Sequence, residues 1–258
     1  MAPTLLELAD DGWVHLPPRP GDDRVDADRY VFFGGRHESS VQRIRLADTA
    51  DLEEAVDATR ALARERGSAL VRWWVGDLAT PAGARDELLR LGLAPDVDEA
   101  VLTSMALVGP PESRARDEID VRRVESVDDY VRAIEIDARS WDTTEEAVAH
   151  RLARAREQWP AMHAEGRTYV YLAHVDGEPV GFARAVVVGD AALMNGGTVV
   201  RHARGRGVYR ALVDARRRDL AEHGVASLVT QAGSMSRPIL ERLGFEPLGE
   251  IRLLVDRL

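Results

Sequence analysis

The segment 198–213 combines two glycines and several arginines at the start of a predicted helix. Gly205 and Gly207 allow backbone conformations, and a close approach of a ligand, that other residues do not. The amide N–H groups at the start of a helix have no partner within the helix and carry partial positive charge, so they bind phosphate anions. Four arginines with charge that cannot be titrated away surround this point: Arg201, Arg204, Arg206 and Arg210. The segment therefore predicts a pyrophosphate site.

The spacing of this loop differs from two other phosphate motifs. The pattern Gly-x-x-x-x-Gly-Lys-Ser/Thr is absent, and so is Gly-x-Gly-x-x-Gly followed by an acidic residue after a second strand. The run from Arg204 to Tyr209 instead resembles the acyl-CoA loop of the GNAT acetyltransferase superfamily, Gln/Arg-x-x-Gly-x-Gly/Ala. Tyr209 departs from that pattern, because the last position is usually Gly or Ala. A glycine-containing surface loop before an ordinary helix is the alternative interpretation.

Composition limits the class of protein. The 258 residues, 45% hydrophobic and 30% charged, are typical of a folded globular chain of one or two domains. No apolar run is long enough to span a bilayer, and the N-terminus lacks a signal-peptide pattern. Cysteine and lysine are absent, which excludes disulfides, thiolate catalysis and Schiff-base chemistry, and no metal is expected. These features predict a cytoplasmic protein.

The charge balance bears on partners. The formal net charge is −10 at pH 7, and most of the acidic excess lies in residues 1–117. Such a surface repels nucleic-acid phosphates and mildly favours cationic ligands. We therefore expect neither a nucleic-acid nor a membrane partner. The run 216–218 is three arginines on a predicted helix, which is typical of a solvated face.

The elements predicted for residues 118–258 position the loop. Period-2 patterns and turn residues predict strands, and helical spacing with Ser126 as a cap predicts helices. Strands are predicted at 119–124, 168–175, 179–188, 191–200, 226–231 and 247–255. Helices are predicted at 126–134, 144–165, from the loop to about 223, and 234–243. Asp176-Gly177 is predicted to be a tight turn.

This order of elements resembles the GNAT order throughout 118–258. The closing segment also fits, because 238–245 resembles the family's last helix followed by Leu-Gly-Phe, here Leu243-Gly244-Phe245. Gly244 suits the position just after a helix end. The resemblance implies an α/β (α+β) protein with a mixed, mostly antiparallel GNAT-type sheet flanked by helices.

The N-terminal half repeats part of this pattern. Its predicted helices at 51–66 and 82–91 alternate with strands at 69–75 and 101–108. The run 88–95 parallels 240–247, since both contain Leu-x-Arg-Leu-Gly followed three residues later by a proline. The segment 42–49, where a phosphate loop would stand, contains no glycine.

These patterns predict two GNAT-like halves. Residues 1–110 are predicted to form a degenerate GNAT-like domain without a CoA loop, 108–117 a linker, and 118–258 a GNAT domain that binds acetyl-CoA. An unrelated α/β segment with a chance Leu-Gly match is the alternative for the first half.

The resemblance implies direct acetyl transfer from acetyl-CoA to a primary amine, which we expect to lie on a small molecule. Amides of the loop hold the pyrophosphate, and a strand edge aligns the pantetheine arm and polarises the thioester carbonyl. The expected cofactor-binding residues are Thr198, Val199, Val200, Arg204, Gly205, Arg206, Gly207, Val208 and Tyr209. Asn195 and Gly196 are expected either to bind the acceptor or, with Gly197, to form a bulge.

The proton-transfer groups depart from the family pattern. Many relatives carry a tyrosine donor four residues before the Leu-Gly-Phe glycine, where this chain has Leu240. Ser234, Ser236 and Tyr209 are the remaining candidates for catalysis; helix capping is the alternative for the serines and packing the alternative for Tyr209. A non-catalytic acyl-CoA-binding regulatory protein is therefore the rival function, and acetylation of a protein amine is a second rival. A monomer or a homodimer is expected.

Overall fold

The chain divides into two compact units in the computed structural model. The first comprises residues 3–106 together with 231–258, and the second comprises 107–230. The structure describes residues 3–19, 21–35, 38–109, 119–140 and 144–258. Most of the predicted linker at 108–117 lies outside these ranges. Within them, no helix is both long enough and apolar enough to cross a membrane.

The elements follow the predicted alternation of strands and helices. The α-helices are α1 (Leu5–Asp10), α2 (Thr49–Glu65), α3 (Ala84–Arg90), α4 (Val127–Arg139), α5 (Glu145–Glu165), α6 (Val208–Glu222) and α7 (Arg237–Arg242). The strands are β1 (Arg24–Ala27), β2 (Tyr30–Phe33), β3 (Glu38–Gln42), β4 (Leu70–Val75), β5 (Ala94–Pro95), β6 (Val101–Val108), β7 (Asp120–Arg123), β8 (Thr168–Val175), β9 (Glu178–Val188), β10 (Ala191–Leu193), β11 (Gly197–Val199), β12 (Ser227–Ala232) and β13 (Glu246–Arg257).

The sheet of the first unit has the strand order β1-β2-β3-β4-β13-β6. Only β3 and β4 run parallel among these neighbours, and α2 connects them, as a parallel pair requires. Every second residue of β4 is buried because successive side chains of a strand face opposite sides. Trp73 of β4 packs with Leu52 of α2 and Leu88 of α3 in the core of this unit.

The sheet of the second unit has the order β12-β10-β9-β8-β7, and β11 also pairs with β9. Phe182 of β9 packs against α4 and α5. Its neighbour Gly181 faces the other side, where a Cβ would lie 2.9 Å from Val208 and 3.1 Å from Leu212 of α6. Helices therefore cover both faces of this sheet, which is mostly antiparallel. The predicted fold class is confirmed.

Two predictions that depend only on a short segment of sequence, a turn and a helix cap, are confirmed. Asp176 and Gly177 have φ values of +54° and +83°, as the predicted two-residue hairpin turn requires. The Ser126 side chain caps α4 by accepting from the Asp129 amide.

The two Leu-Gly segments end their helices in the same way. The Leu93 amide donates to the Leu88 carbonyl at 3.1 Å, and the Phe245 amide donates to the Leu240 carbonyl at 3.0 Å. Both bonds are the six-residue closure that a glycine after a helix permits. The predicted parallel between the two segments is thus confirmed at the level of local geometry.

The unit boundaries differ from the predicted domain boundaries of 1–110 and 118–258. Residues 231–258 group with the first unit, because β13 lies between β4 and β6 and pairs with both. The predicted strand at 191–200 is also two strands, β10 and β11, with residues 194–196 between them. Both differences reflect pairing between distant segments, which local propensity does not specify.

Candidate functional site

The arginine and glycine loop joins β11 to α6 through a short 3-10 turn, Arg201–Ala203. Gly205 and Gly207 have φ values of +78° and +88°, so both adopt the left-handed conformation that glycine favours. Gly207 is the N-cap of α6, and no side chain caps the helix. The first-turn amides therefore have no partner within the helix and remain available to an anion.

The space in front of the loop is open. A Cβ atom built on Gly205 or on Gly207 would meet no other atom within 4 Å. Arg204 and Arg206 are exposed, and they anchor to neighbouring segments. The Arg204 Nε donates to the Val199 carbonyl at 3.1 Å, and Arg206 lies 3.6 Å from the Asp176 carboxylate. The predicted residues thus form a positively charged, accessible loop at a helix start.

β11 has one edge without a strand partner in the described part of the chain. Its partner on the other edge is β9: the Gly196 carbonyl accepts from the Arg184 amide at 3.1 Å, and the Val200 amide donates to Val180 at 3.0 Å. Alternate residues of an antiparallel strand direct their backbone groups to opposite sides. Gly197 and Val199 therefore present their amides to the open edge, whereas Thr198 and Val200 face β9. Among the predicted residues 198–200, only Val199 has its amide at the open edge, and Gly197 shares this orientation.

The open edge exists because β10 and β11 diverge. β10 pairs in parallel with β12 up to Leu193 opposite Val229, and the Met194 amide still donates to Val229 at 2.8 Å. The chain then turns at Gly196, whose φ is +98°. No pairing between β11 and β12 follows in the described residues. The two strands consequently leave a gap beside Gly197 and Val199.

Asn195 and Gly196 form the predicted bulge. The Arg184 Nε donates to both the carbonyl and the side-chain oxygen of Asn195, each at 3.1 Å. Asn195 is buried, and its side-chain nitrogen has no hydrogen-bond partner among the described residues. The bulge interpretation is therefore the one the geometry supports, and it leaves one buried polar donor unsatisfied. Acceptor binding by these residues stays a prediction.

Arg216 contradicts the interpretation of 216–218 as a wholly solvated face. Its side chain is only 1% exposed, and it lies beneath the bulge. Nη1 donates to the Arg184 carbonyl at 3.2 Å and to the Gly196 carbonyl at 3.4 Å, and Nε donates to Leu212 at 3.1 Å. The missed signal was periodicity, because Leu212, Arg216 and Leu220 follow at intervals of four along the buried stripe of α6.

Tyr209 lies beside this arginine. A Cβ on Gly197 would be 3.3 Å from Tyr209 Cε2 and 3.7 Å from Arg216 Nη2, so both side chains border the same residue of β11. Burial raises the pKa of the Tyr209 phenol, and the adjacent Arg216 guanidinium partly opposes that rise. The tyrosine is thus packed against the candidate site and also keeps a titratable hydroxyl there.

Ser234 and Ser236 belong to the first unit. The Ser234 amide donates to Glu99 at 2.5 Å, and the Ser236 hydroxyl donates to the Gly233 carbonyl at 3.3 Å. Ser236 occupies the N-cap position of α7, but its side chain does not cap the helix. The role of these serines in proton transfer stays a prediction.

A family comparison agrees with this geometry. Residues 131–245 match the model of the Acetyltransferase (GNAT) family. The chain carries a GNAT-family domain. The match includes the bulge, the loop and α6, and it ends at Phe245, the last residue of the Leu-Gly-Phe segment. A search of curated protein sequences found no match.

Solved structures share the GNAT fold over nearly the whole chain. A GCN5-related N-acetyltransferase from Kribbella flavida has a TM-score of 0.71 at 16% identity, covering 98% of this chain and 95% of that one. A GCN5-related N-acetyltransferase from Sphaerobacter thermophilus has a TM-score of 0.65 at 16% identity, with coverages of 99% and 94%. A tandem GNAT protein from the clavulanic acid biosynthesis pathway has a TM-score of 0.61 at 17% identity, with coverages of 88% and 78%.

Proposed function

We propose that the GNAT domain binds acetyl-CoA and transfers its acetyl group to a primary amine of a small molecule. The observation that carries this proposal is the pairing of two features. A glycine loop at the start of α6 presents helix amides, and an open edge of β11 lies directly before it in the chain. A molecule with a pyrophosphate at one end and a chain of amide groups at the other matches both features.

The residues present fit acetyl-CoA. The amides from Gly205 to Tyr209, with Arg204 and Arg206, would hold the pyrophosphate. The backbone groups of Gly197 and Val199 would pair with the amides of the pantetheine arm, as in strand addition. Acetyl-CoA, when bound, supplies an acyl group activated as a thioester. The Val199 carbonyl already accepts a hydrogen bond from Arg204, so the pantetheine arm would either share that carbonyl with Arg204 or replace it.

The proposal also assigns residues to acceptor binding and proton transfer. Asn195 and Gly196 stand where the open edge begins, and the unsatisfied nitrogen of Asn195 is a donor that a polar acceptor could use. The attacking amine must be neutral, and the departing thiolate needs a proton. We assign the proton donor to Tyr209, with Ser234 and Ser236 as the other candidates. The acidic net charge of −10 favours cationic amines as acceptors.

The proposal also covers the arrangement of the chain. We propose that residues 1–110 form a degenerate GNAT-like domain without its own CoA loop. Helix α2 lies in the chain between the parallel strands β3 and β4, just as α6 lies between the parallel strands β10 and β12. The hydrogen bond from Leu93 to Leu88 after α3 recurs as the one from Phe245 to Leu240 after α7. We further propose a cytoplasmic protein, monomeric or homodimeric, which sedimentation analysis and cell fractionation would test.

Isothermal titration calorimetry of the full chain with acetyl-CoA tests the donor. We expect saturable binding with one site per chain. Desulfo-CoA, which lacks the thiol, should also bind, because the pyrophosphate and pantetheine contacts remain. A chain that gives no detectable heat and no thermal shift with either ligand would overturn the proposed function and its site.

Leu240 favours the second candidate function, a non-catalytic acyl-CoA-binding regulatory protein. This residue occupies the position where many GNAT relatives carry a tyrosine, and it is fully buried with no proton to donate. Release of CoA thiol across a broad panel of amines separates the two functions. Tight acetyl-CoA binding without thiol release on any amine, peptide amines included, would favour the regulatory protein.

A further inference from the structure

Arg216 is a buried cation without a carboxylate partner in the described part of the chain. Its side chain is 1% exposed, and three backbone carbonyls accept its hydrogen bonds. An isolated buried charge is costly, and proteins ordinarily pair it with an opposite charge. Leu212 and Leu220 occupy neighbouring positions on the same stripe, so an apolar residue would satisfy packing at 216. A guanidinium at this position calls for a reason beyond packing.

One of the three hydrogen bonds of Arg216 reaches the peptide that joins Gly196 to Gly197. The Gly196 carbonyl accepts from the Arg184 amide at 3.1 Å and from Arg216 Nη1 at 3.4 Å. In a trans peptide the carbonyl and the following N–H point in opposite directions. The Gly197 N–H is therefore directed to the open edge of β11, away from the cation.

A donor bonded to the carbonyl of a peptide polarises that peptide and strengthens its N–H as a donor. The cation on Arg216 does this from inside the protein, where the low local dielectric keeps its effect strong. The second terminal nitrogen of Arg216, Nη2, lies beside Tyr209, whose phenol interacts with the guanidinium. The guanidinium charge thus lies next to Gly197, where the bulge meets the open edge.

We propose that Arg216 is a positioning residue that orients and polarises the Gly196–Gly197 peptide, so that the Gly197 N–H binds the acyl oxygen of the donor. Negative charge develops on that oxygen during transfer, and a pre-oriented donor stabilises it. The inference rests on the proposed acetyl-CoA function. What it adds is Arg216, the residue that prepares the oxyanion-binding amide.

The test measures the carbonyl of the bound donor directly. Acetyl-CoA labelled with carbon-13 at the thioester carbonyl is bound to the full chain, and isotope-difference infrared spectra report the carbonyl stretch. For the wild-type chain we expect a lower frequency than for the same ligand in water. In Arg216→Met and Arg216→Gln, both neutral, the frequency should move back toward the value in water.

Arg218→Met is the matched control, because Arg218 lies on the same helix but is exposed. Its spectrum should equal that of the wild-type chain. Calorimetry should show little change in acetyl-CoA affinity in the Arg216 variants. Their kcat, measured by thiol release with an amine that the wild-type chain acetylates, should fall by up to about 100-fold, the effect of losing an oxyanion-hole donor outright. Circular dichroism confirms that each variant is folded.

The possible results separate the inference from the function. If acetyl-CoA binds and the wild-type band is unshifted from that in water, the inference is wrong while the donor assignment stands. An equal band in wild-type, Arg216→Met and Arg216→Gln has the same meaning. If one of the two neutral variants fails to fold, the other provides the comparison with the wild-type chain. Failure of acetyl-CoA to bind the wild-type chain overturns both proposals.

Discussion

Among single residues, the glycines of the loop are needed for their backbone conformation, since a side chain at these positions would have room. Gly207 has a φ of +88°, and a Cβ there would meet nothing within 4 Å. The constraint is therefore conformational rather than steric, and it costs about 1–2 kcal/mol for other residues. The free space in front of Gly207 is the space that the proposed pyrophosphate would fill.

Gly207→Glu tests that assignment. A carboxylate at the N-cap of α6 would stand where the pyrophosphate is proposed, so we expect acetyl-CoA affinity to fall at least about 100-fold, or roughly 2.7 kcal/mol. Calorimetry provides the measurement.

Gly224→Glu is the matched control for backbone strain. Gly224 has a φ of +80°, and a Cβ there also meets nothing within 4 Å. It follows α6 at the opposite end, about 20 Å away for a helix of this length. Similar acetyl-CoA affinities in the two variants would show that the loop does not bind the pyrophosphate.

At the scale of elements, the position of α6 over the sheet is set by close packing on a glycine. A Cβ on Gly181 of β9 would lie 2.9 Å from Val208 Cγ1 and 3.1 Å from Leu212 Cδ1. Val208 is the first residue of α6 and is only 1% exposed. The absence of a side chain at Gly181 therefore lets the start of α6, and the loop before it, lie close to β9.

Gly181→Ala should displace the start of α6. Overpacking of this kind costs about 1–3 kcal/mol, so we expect a lower midpoint in urea unfolding and weaker acetyl-CoA binding. Val208→Ala removes the nearest methyl group, so the double variant should regain most of both losses. The two substitutions are in contact and should be coupled. Strictly additive losses in the double variant would contradict this account of the helix position.

At the scale of the whole molecule, buried acids connect α1 to the rest of the first unit. Asp10 accepts from the Ser104 hydroxyl at 2.8 Å and from the Leu78 amide at 3.1 Å, and the Asp11 carboxylate pairs with Arg45 at 2.6 Å. Burial raises the pKa of both aspartates. The folded chain therefore holds these protons more tightly than the unfolded chain does.

The raised pKa of Asp10 predicts that the free energy of unfolding depends on pH. A carboxyl with a raised pKa contributes stability below its unfolded pKa, about 3.9, and that contribution is lost as pH rises through the folded pKa. Asparagine at position 10 can still bond to the Leu78 amide and to Ser104 but does not titrate. The free energy of unfolding of Asp10→Asn, relative to the wild-type chain, should therefore increase from pH 4 to pH 7.

Asp26→Asn serves as the control with the opposite sign. The Arg24 side chain lowers the pKa of Asp26, so its contribution is present above the unfolded pKa and is lost on acidification. This variant should be slightly less stable than the wild-type chain at pH 7 and equal to it at low pH. Urea unfolding at a series of pH values measures both variants. Parallel curves for Asp10→Asn and the wild-type chain would show that Asp10 is not a source of the pH dependence.

Features that neighbouring residues control could be predicted from the sequence. Paired glycines gave the left-handed positions at 205 and 207, Asp176-Gly177 gave the hairpin turn, and Leu-Gly segments gave the same helix closure twice. Each depends on backbone sterics and hydrogen bonds within a few residues. These local features could therefore be predicted without coordinates, and the resemblance to the GNAT family rests on the same segments.

The fold of the whole chain sets which distant groups meet. It placed β13 between β4 and β6, turned Gly197 and Val199 to the open edge of β11, and buried the Arg216 guanidinium beneath the bulge. Strand partners depend on contacts across the whole chain, and a shift of one residue reverses which side of a strand is exposed. The spacing of Leu212, Arg216 and Leu220 places position 216 on the buried side of α6, but it does not show that backbone carbonyls enclose the guanidinium. The physical reason is that such burial is a property of the packed sheet and helix together.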